Sequence, residues 1–448
     1  MSRPPRDLSL FAGLALAFLL SFGPAVSNSF ARFAYALVLP AMREDLLLSY
    51  AEAGWLNTAN AIGYLIGALL TRVWVARVGN RTLFIAGMLI TSLAVLGTGL
   101  SREPAILSLM RMVGGIGGAA VFVCGGTLSG NALPARPALA TTTIAIYFAG
   151  GGIGLMLCGA AIPVLIETRG ATVWPIAWQA MGGSALLMSL ASIWAALRID
   201  EPGQRSGSSD NTGRAGGSAS GRISASQASR AATKQPVTND AARSIPSAVD
   251  RSAPRATSIA PLRKALITYL CFGLGYIGYM TFVIAWMREH GAQTSTVVSA
   301  WMLLGFTTLI APAIWRGPVE RWPGGRPLAA AMATLACGAV LPLLYASASV
   351  MMVSAALFGA AMFSIPSAIQ SLVKKGIPMA DWGHAMAGFT IVFAAGQVAG
   401  PVLTGWLADR FGSLTPGLAL SVATLLAGAL LALTQREVIA TTETVHAR

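Results

Sequence analysis

Apolar residues in this chain are grouped into blocks of about 20, the length an α-helix needs to cross a hydrocarbon layer of ~30 Å. Twelve such blocks follow one another. They lie at about 10–40, 51–73, 82–100, 104–130, 138–166, 174–197, 265–287, 294–315, 327–347, 349–373, 384–408 and 414–434, and are numbered here as spans 1 to 12. In lipid every backbone amide must find its partner within the chain, so repeated spans of this length dictate helices. The expected fold class is an all-α membrane protein with 12 transmembrane helices.

Composition agrees. The 448 residues are 55% hydrophobic and 11% charged, and the mean hydropathy is +0.65. That leaves too little charge to cover a soluble surface of this size. The net charge of +14 would raise nucleic acid as a partner of a soluble chain. Here the cations sit in loops, so nucleic acid is excluded. With the N-terminus inside, inner loops and tails hold 24 of the 31 Lys and Arg residues, outer loops hold 5, and Arg32 and Arg111 fall within spans. The positive-inside bias then places both termini in the cytoplasm of a multi-pass protein of the cytoplasmic (inner) membrane. The start (Arg3, Arg6, then an apolar run to Ala25) resembles a signal peptide. Its removal would leave eleven spans, and it is expected to stay.

Residues 201–260 differ from the rest. They are rich in Ser, Ala, Gly and Arg with few large apolar residues, and are expected to be a disordered cytoplasmic linker. The domains are then an N-terminal six-helix half (1–200), the linker, and a C-terminal six-helix half (261–448). The halves read as pseudo-repeats. Gly150, Gly154 and Gly159 in span 5 fall on Gly396, Gly400 and Gly405 in span 11 at one constant offset, and Met42-Arg43-Glu44 matches Met287-Arg288-Glu289. Gly150, Gly154, Gly396 and Gly400, at four-residue spacing, are read as helix-packing glycines.

The run ARFAYALVLPAMREDLLLSYAEAGWLNTANAIGYLIGALL (31–70) and the run FAAGQVAGPVLTGW (393–406) resemble the YbfB/YjiJ-type subgroup of the major facilitator superfamily. The resemblance covers both membrane halves and implies the major facilitator fold, with spans 1, 4, 7 and 10 around a central cavity. The superfamily's signature loop after span 2 is similar to VWVARVGNR (73–81), which keeps Arg77, Gly79 and Arg81 but has Ala76 where an acid is expected. Its counterpart, GPVER (317–321), keeps Glu320 beside Gly317 and Arg321. The resemblance implies gating loops at both places, with the acidic latch kept only in the second. In span 4, RMVGGIGG (111–118) is similar to a superfamily pattern whose arginine is buried near the transport path, which implies that place for Arg111.

The sharpest feature is Arg32, in SNSFARFAYALVLPAM (27–42). It lies eight residues before Pro40, about 12 Å below the outer end of span 1. Arg111 lies at a comparable depth in span 4. All 17 Asp and Glu residues fall in tails, loops or first helical turns, so neither arginine has an intramembrane acid. Unpaired intramembrane charge marks a pathway, and a guanidinium suits carboxylate or phosphate. The expected counter-charge is the substrate. The alternative is that Arg32 bonds helix carbonyls or snorkels to water. Asn28, Asn60 (with Asn57), Tyr64, Tyr276, Tyr279, Gln370 and Gln397 are further candidates to line the site.

The function expected is secondary transport of a small organic, anionic solute by alternating access. One alternative is a drug/proton antiporter exporting cationic or neutral compounds. Another, from a different class, is a membrane sensor or scaffold that does not transport. A membrane enzyme is not expected. The spans hold no paired acids, no H-E-x-x-H and no serine–histidine pair, and Cys124, Cys158, Cys271 and Cys337 have no metal-ligand spacing. No catalytic residue, metal or cofactor is expected. The partners are a small-molecule substrate and the lipid bilayer, with the chain a monomer.

Overall fold

The structure is a computed structural model and describes residues 9–199, 260–378 and 381–438. The 201–260 linker reading therefore lies outside the described residues, apart from Ala260. Eleven helical segments among the described residues are long and apolar enough to cross a membrane. Each expected span overlaps one of these segments, spans 3, 6, 9 and 12 being expected one to three residues longer at their ends than the helices run, and spans 2 and 3 share Tyr50–Thr98. As one straight helix, those 49 residues would reach about 74 Å, more than twice the hydrocarbon thickness. Gly79 breaks them, with φ 81° and ψ 163°, a conformation that a side chain would strain.

Large apolar side chains point outward along these helices, as at Phe11, Leu187, Leu190 and Leu430. That is the surface a hydrocarbon solvent wets without cost. Inside, helices approach through glycine. Gly150 meets the Ser21 carbonyl and Gly154 meets Ala25 and Ser29, so span 5 lies on span 1. Gly396 and Gly400 meet the carbonyls of Leu270 and Leu274 (2.5 Å from an added Cβ in each case), so span 11 lies on span 7 in the same manner. Where lipid removes the hydrophobic drive between helices, such backbone approach supplies van der Waals contact instead.

Span 1 (Leu10–Leu46) is irregular. After Pro24 it winds more widely over Ala25–Phe33, with Ala34 N–H donating to the Ser29 carbonyl five residues back (2.7 Å). Ser29 Oγ donates to the Gly151 carbonyl (2.6 Å) and anchors the turn on span 5. Widened turns of this kind gather at functional sites, and this one carries Arg32.

The start of span 2 lies against the end of span 11. Both Asp409 carboxylate oxygens accept backbone N–H groups from the first turn of span 2, Tyr50 and Ala51 (2.8 Å each). Gly54 lies against the Pro401 carbonyl, Gly405 against that of Tyr50, and Thr58 Oγ1 donates to the Val398 carbonyl (2.8 Å). The same helix start is capped locally by Ser49 and Glu52. Asp409→Asn keeps the shape but replaces one acceptor by a donor and removes the charge from the positive end of the helix dipole. We expect it to lower unfolding stability by about 1 kcal/mol, read as a lower melting temperature, with Asp409→Ala lower still. Melting temperatures equal to that of the unaltered chain would show that this contact contributes nothing.

Candidate functional site

Two charged residues are buried among the described residues, Arg32 (6% exposed) and Arg111 (2%), and no Asp or Glu joins them. They lie within electrostatic reach of each other. Asp45 is held by Arg102 (2.9 Å) and Trp174 Nε1 (2.8 Å).

Arg111 is fully engaged. Its Nη1 donates to the Ala31 carbonyl (2.5 Å), its Nε to the Leu56 carbonyl (3.4 Å) and its Nη2 to Asn57 Oδ1 (3.0 Å). Tyr35 and Trp178 rings lie 4.6 and 5.4 Å from its Cζ. Asn57 Nδ2 in turn donates to Thr281 Oγ1 in span 7 (2.6 Å). One side chain thus ties span 4 to spans 1 and 2 and, through Asn57, to the other half. Asn60 belongs to the same framework, since its Nδ2 donates to the Arg111 carbonyl (3.0 Å).

Arg32 is the opposite case. Nη2 is buried with no hydrogen-bond partner. Its guanidinium faces two rings, Tyr64 at 5.3 Å and Phe33 at 5.8 Å from Cζ. Below it in the widened turn are Asn28, buried, and Ser27, whose Oγ is buried and unbonded. Tyr276 of span 7 lies within electrostatic reach of Arg32 and Tyr64. Its hydroxyl accepts from Gln397 Nε2 (2.6 Å), and the other amide atom of Gln397 is buried without a partner. Tyr276 ends a stack of near-parallel rings. Its ring is 4.6 Å from Phe272, and Tyr269 and Phe393 lie 4.6 Å apart beside them. The structure therefore brings Arg32, Asn28, Tyr64, Tyr276 and Gln397 to one place. It holds open hydrogen-bonding capacity on both halves, one uncompensated charge, and an aromatic wall.

Other candidates lie apart from this group. Tyr279 faces the interior of the second half, with its hydroxyl paired to Ser354 Oγ (2.9 Å) and its ring stacked on Phe358. Gln370 is exposed on Ser364–Gly376. In the signature loops, Gly79 makes the break between spans 2 and 3, Arg81 donates to the Ile199 carbonyl, and Arg77 is exposed. Glu320 pairs with Arg316 of its own helix (3.0 Å), beside exposed Arg321 and half-buried Gly317. Among the described residues no cluster of His, Cys, Asp and Glu could hold a metal ion. Reading the sequence missed Thr281, Phe393 and Ser27. A threonine or phenylalanine in an apolar span carries no signal until its neighbour on another helix is known.

These features are those of a multi-pass membrane transporter. The chain matches the family described as uncharacterised MFS-type transporter YbfB over residues 25–215 and 232–433, and it belongs to that family. Similar solved structures include the nucleoside transporter NupG, crystallised as a point mutant. It has a TM-score of 0.64 at 12% identity, with 94% of this chain and 99% of that one covered. A bacterial homolog of the human lysosomal transporter Spinster, inward-facing and occupied, has a TM-score of 0.63 at 15% identity with 97% of each chain covered. At these identities the likeness shows the fold. No curated protein matches the chain.

The two arginines differ in what supports them, so their removal has opposite effects on stability. Arg111→Gln strands the Ala31 and Leu56 carbonyls, and we expect a loss of about 2–4 kcal/mol and a clearly lower melting temperature in detergent. Arg32→Gln removes a buried charge that has no protein partner and leaves the melting temperature unchanged or raised. A large drop for Arg32→Gln would mean that its contacts with Tyr64 and Phe33 hold the fold.

Proposed function

We propose that this secondary transporter carries small organic anions across the cytoplasmic membrane, and that Arg32 is the residue that receives them. The observation that carries the reading is the buried guanidinium of Arg32 with no acid and no hydrogen bond among the described residues. A cation in that state is stabilised by an anion that enters, and a carboxylate accepts its parallel N–H donors. Arg111 has its donors committed and contributes field rather than contacts. One free guanidinium matches one carboxylate, so the substrate class is a monovalent organic acid. Its apolar part would lie against Tyr64 and the rings of Tyr276, Phe272 and Phe393, and a polar group would meet Asn28 or Gln397.

Twelve spans, with Gly79 dividing the long segment, and both termini cytoplasmic are the topology that supports this reading. The two six-helix halves then rock about the central site. The Asp409 contact at the outer end of spans 2 and 11 has to open on the outward stroke. An empty carrier passing through its closed state buries Arg32 uncompensated, whereas a loaded one does not. Exchange of one anion for another is therefore faster than return of the empty carrier.

The test uses purified protein with benzoate, lactate, succinate and a panel of organic cations. A ligand at about 100 times its Kd adds roughly 2.7 kcal/mol to stability. Monocarboxylates should raise the melting temperature of the unaltered chain, and Arg32→Gln, still folded, should lose that response. In proteoliposomes, counterflow of the stabilising anion should exceed its net uptake severalfold. Stabilisation by cations alone, or an undiminished anion response in Arg32→Gln, would overturn the anion reading and favour the exporter of cationic compounds. Binding with no flux would favour a sensor.

A further inference from the structure

A groove of about 560 Å³ lies between the start of span 9 and the end of span 12, and no residue of the Arg32 group lines it. That volume is within the ~300–1,000 Å³ that holds small ligands. Its floor is alanine (Ala329, Ala330, Ala333 and Ala429), and its flank is Leu430, which is 66% exposed. It runs from Arg326 to Ala333, about 10 Å along the helix axis. This is a slot shaped for a chain, open toward the hydrocarbon.

One end of the slot is different. Arg326 is the first residue of its helix and is exposed, and it forms no ion pair or hydrogen bond among the described residues. Trp322, half-exposed, stands beside it at the mouth. The corner is basic and well ordered by backbone contacts. Gly325 N–H donates to the Gln435 carbonyl (3.0 Å), which brings Arg436 next to the start of span 9. Lys264 Nζ donates to the Thr434 carbonyl (3.0 Å), which brings span 7 to the same corner. Glu437 is the acid there, and Glu320 is already paired with Arg316. A free cation at the positive end of a helix, a tryptophan at head-group level and an apolar slot beneath them match the three parts of one molecule.

We propose that this groove binds an anionic phospholipid of the inner leaflet, its phosphate on Arg326 and Arg436 and one acyl chain in the alanine-floored slot. Basic corners between helices on the cytoplasmic side take such head groups. A zwitterionic lipid offers the same chain but carries its own cation to the corner, so the site discriminates by charge. The site assigns span 9 and span 12 a ligand that belongs to the membrane rather than to the transport path. It uses the inside orientation of the basic loops proposed above and does not depend on the substrate.

The experiment uses the full-length chain in mild detergent. Melting temperature is recorded against added phosphatidylglycerol and phosphatidylcholine, and native mass spectrometry counts the lipid retained. Phosphatidylglycerol should raise the melting temperature and remain bound, and phosphatidylcholine should do neither. Arg326→Gln should weaken the phosphatidylglycerol response about tenfold or more in the concentration required. Ala333→Leu, which adds bulk at the half-buried floor of the slot, should weaken it independently, with a melting temperature in the absence of lipid that shows the variant folded. Equal responses to the two lipids, or retention unchanged in both variants, would overturn the proposal. A rise with inorganic phosphate equal to that with phosphatidylglycerol would overturn the lipid assignment, because it would leave the slot without a role. Anion-induced stabilisation through Arg32 should persist in Arg326→Gln, which separates failure here from failure of the transport reading.

Discussion

Two buried guanidinium groups, with no buried carboxylate among the described residues, are the constraint on which this architecture turns. A charge within a membrane span costs several kcal/mol unless something meets it. The chain meets it for Arg111 with carbonyl oxygens and an asparagine from two other spans, plus the faces of Tyr35 and Trp178. Those contacts fix how spans 1, 2 and 4 lie together, and through Asn57 and Thr281 they set where span 7 meets them. Arg32 receives none of this. One arginine is built into the framework, and the framework then holds the other in place with its donors open.

The framework itself is made of backbone. Gly63 and Gly67 admit the carbonyls of Met112 and Ile116, and Gly115 admits that of Asn60, so spans 2 and 4 are in near-backbone contact. The glycine pairs on spans 5 and 11 do the same on spans 1 and 7. Contacts of this kind depend on close shape rather than on hydrophobic drive. They make each group of helices stiff. Spans 1–6 meet spans 7–12 through the same glycine approach, Gly54 on Pro401, Gly405 on Tyr50 and Gly152 on Gly305, and add hydrogen bonds to it: Asp409 on the first turn of span 2, Thr58 on Val398, Asn57 on Thr281.

The helical class and most of its divisions were legible in the sequence because the ~30 Å hydrocarbon thickness imposes a length that composition alone reveals. Gly79 stood out as part of a loop signature, and only its backbone angles explain how one continuous stretch of 49 residues serves as two spans. Arg32 was legible because an arginine in an apolar block is conspicuous. Its difference from Arg111 was not. That difference rests on the Ala31 and Leu56 carbonyls, which any residue supplies, so no residue type announces it. Asp409 likewise reads as an ordinary loop acid after span 11, since its partners are two backbone amides some 360 residues away in the chain. Sequence shows what a side chain can do. Which neighbour uses up that capacity belongs to the fold.

The widened turn of span 1 joins these observations. A regular helix presents residues at i−3 and i−4 beneath a given side chain, whereas an i→i+5 turn places both Asn28 and Ser27 beneath Arg32. The turn follows Pro24, which has no backbone N–H to continue the regular ladder, and is pinned by Ser29 on Gly151. It therefore gathers polar capacity around Arg32, a buried charge without a hydrogen-bond partner among the described residues, while Tyr276 and Gln397 supply it from spans 7 and 11. A ligand held between them would touch both halves at once. That is the condition under which binding energy is felt as a change in how the halves sit, because a ligand shifts a conformational balance only by what it gains differently in the two states.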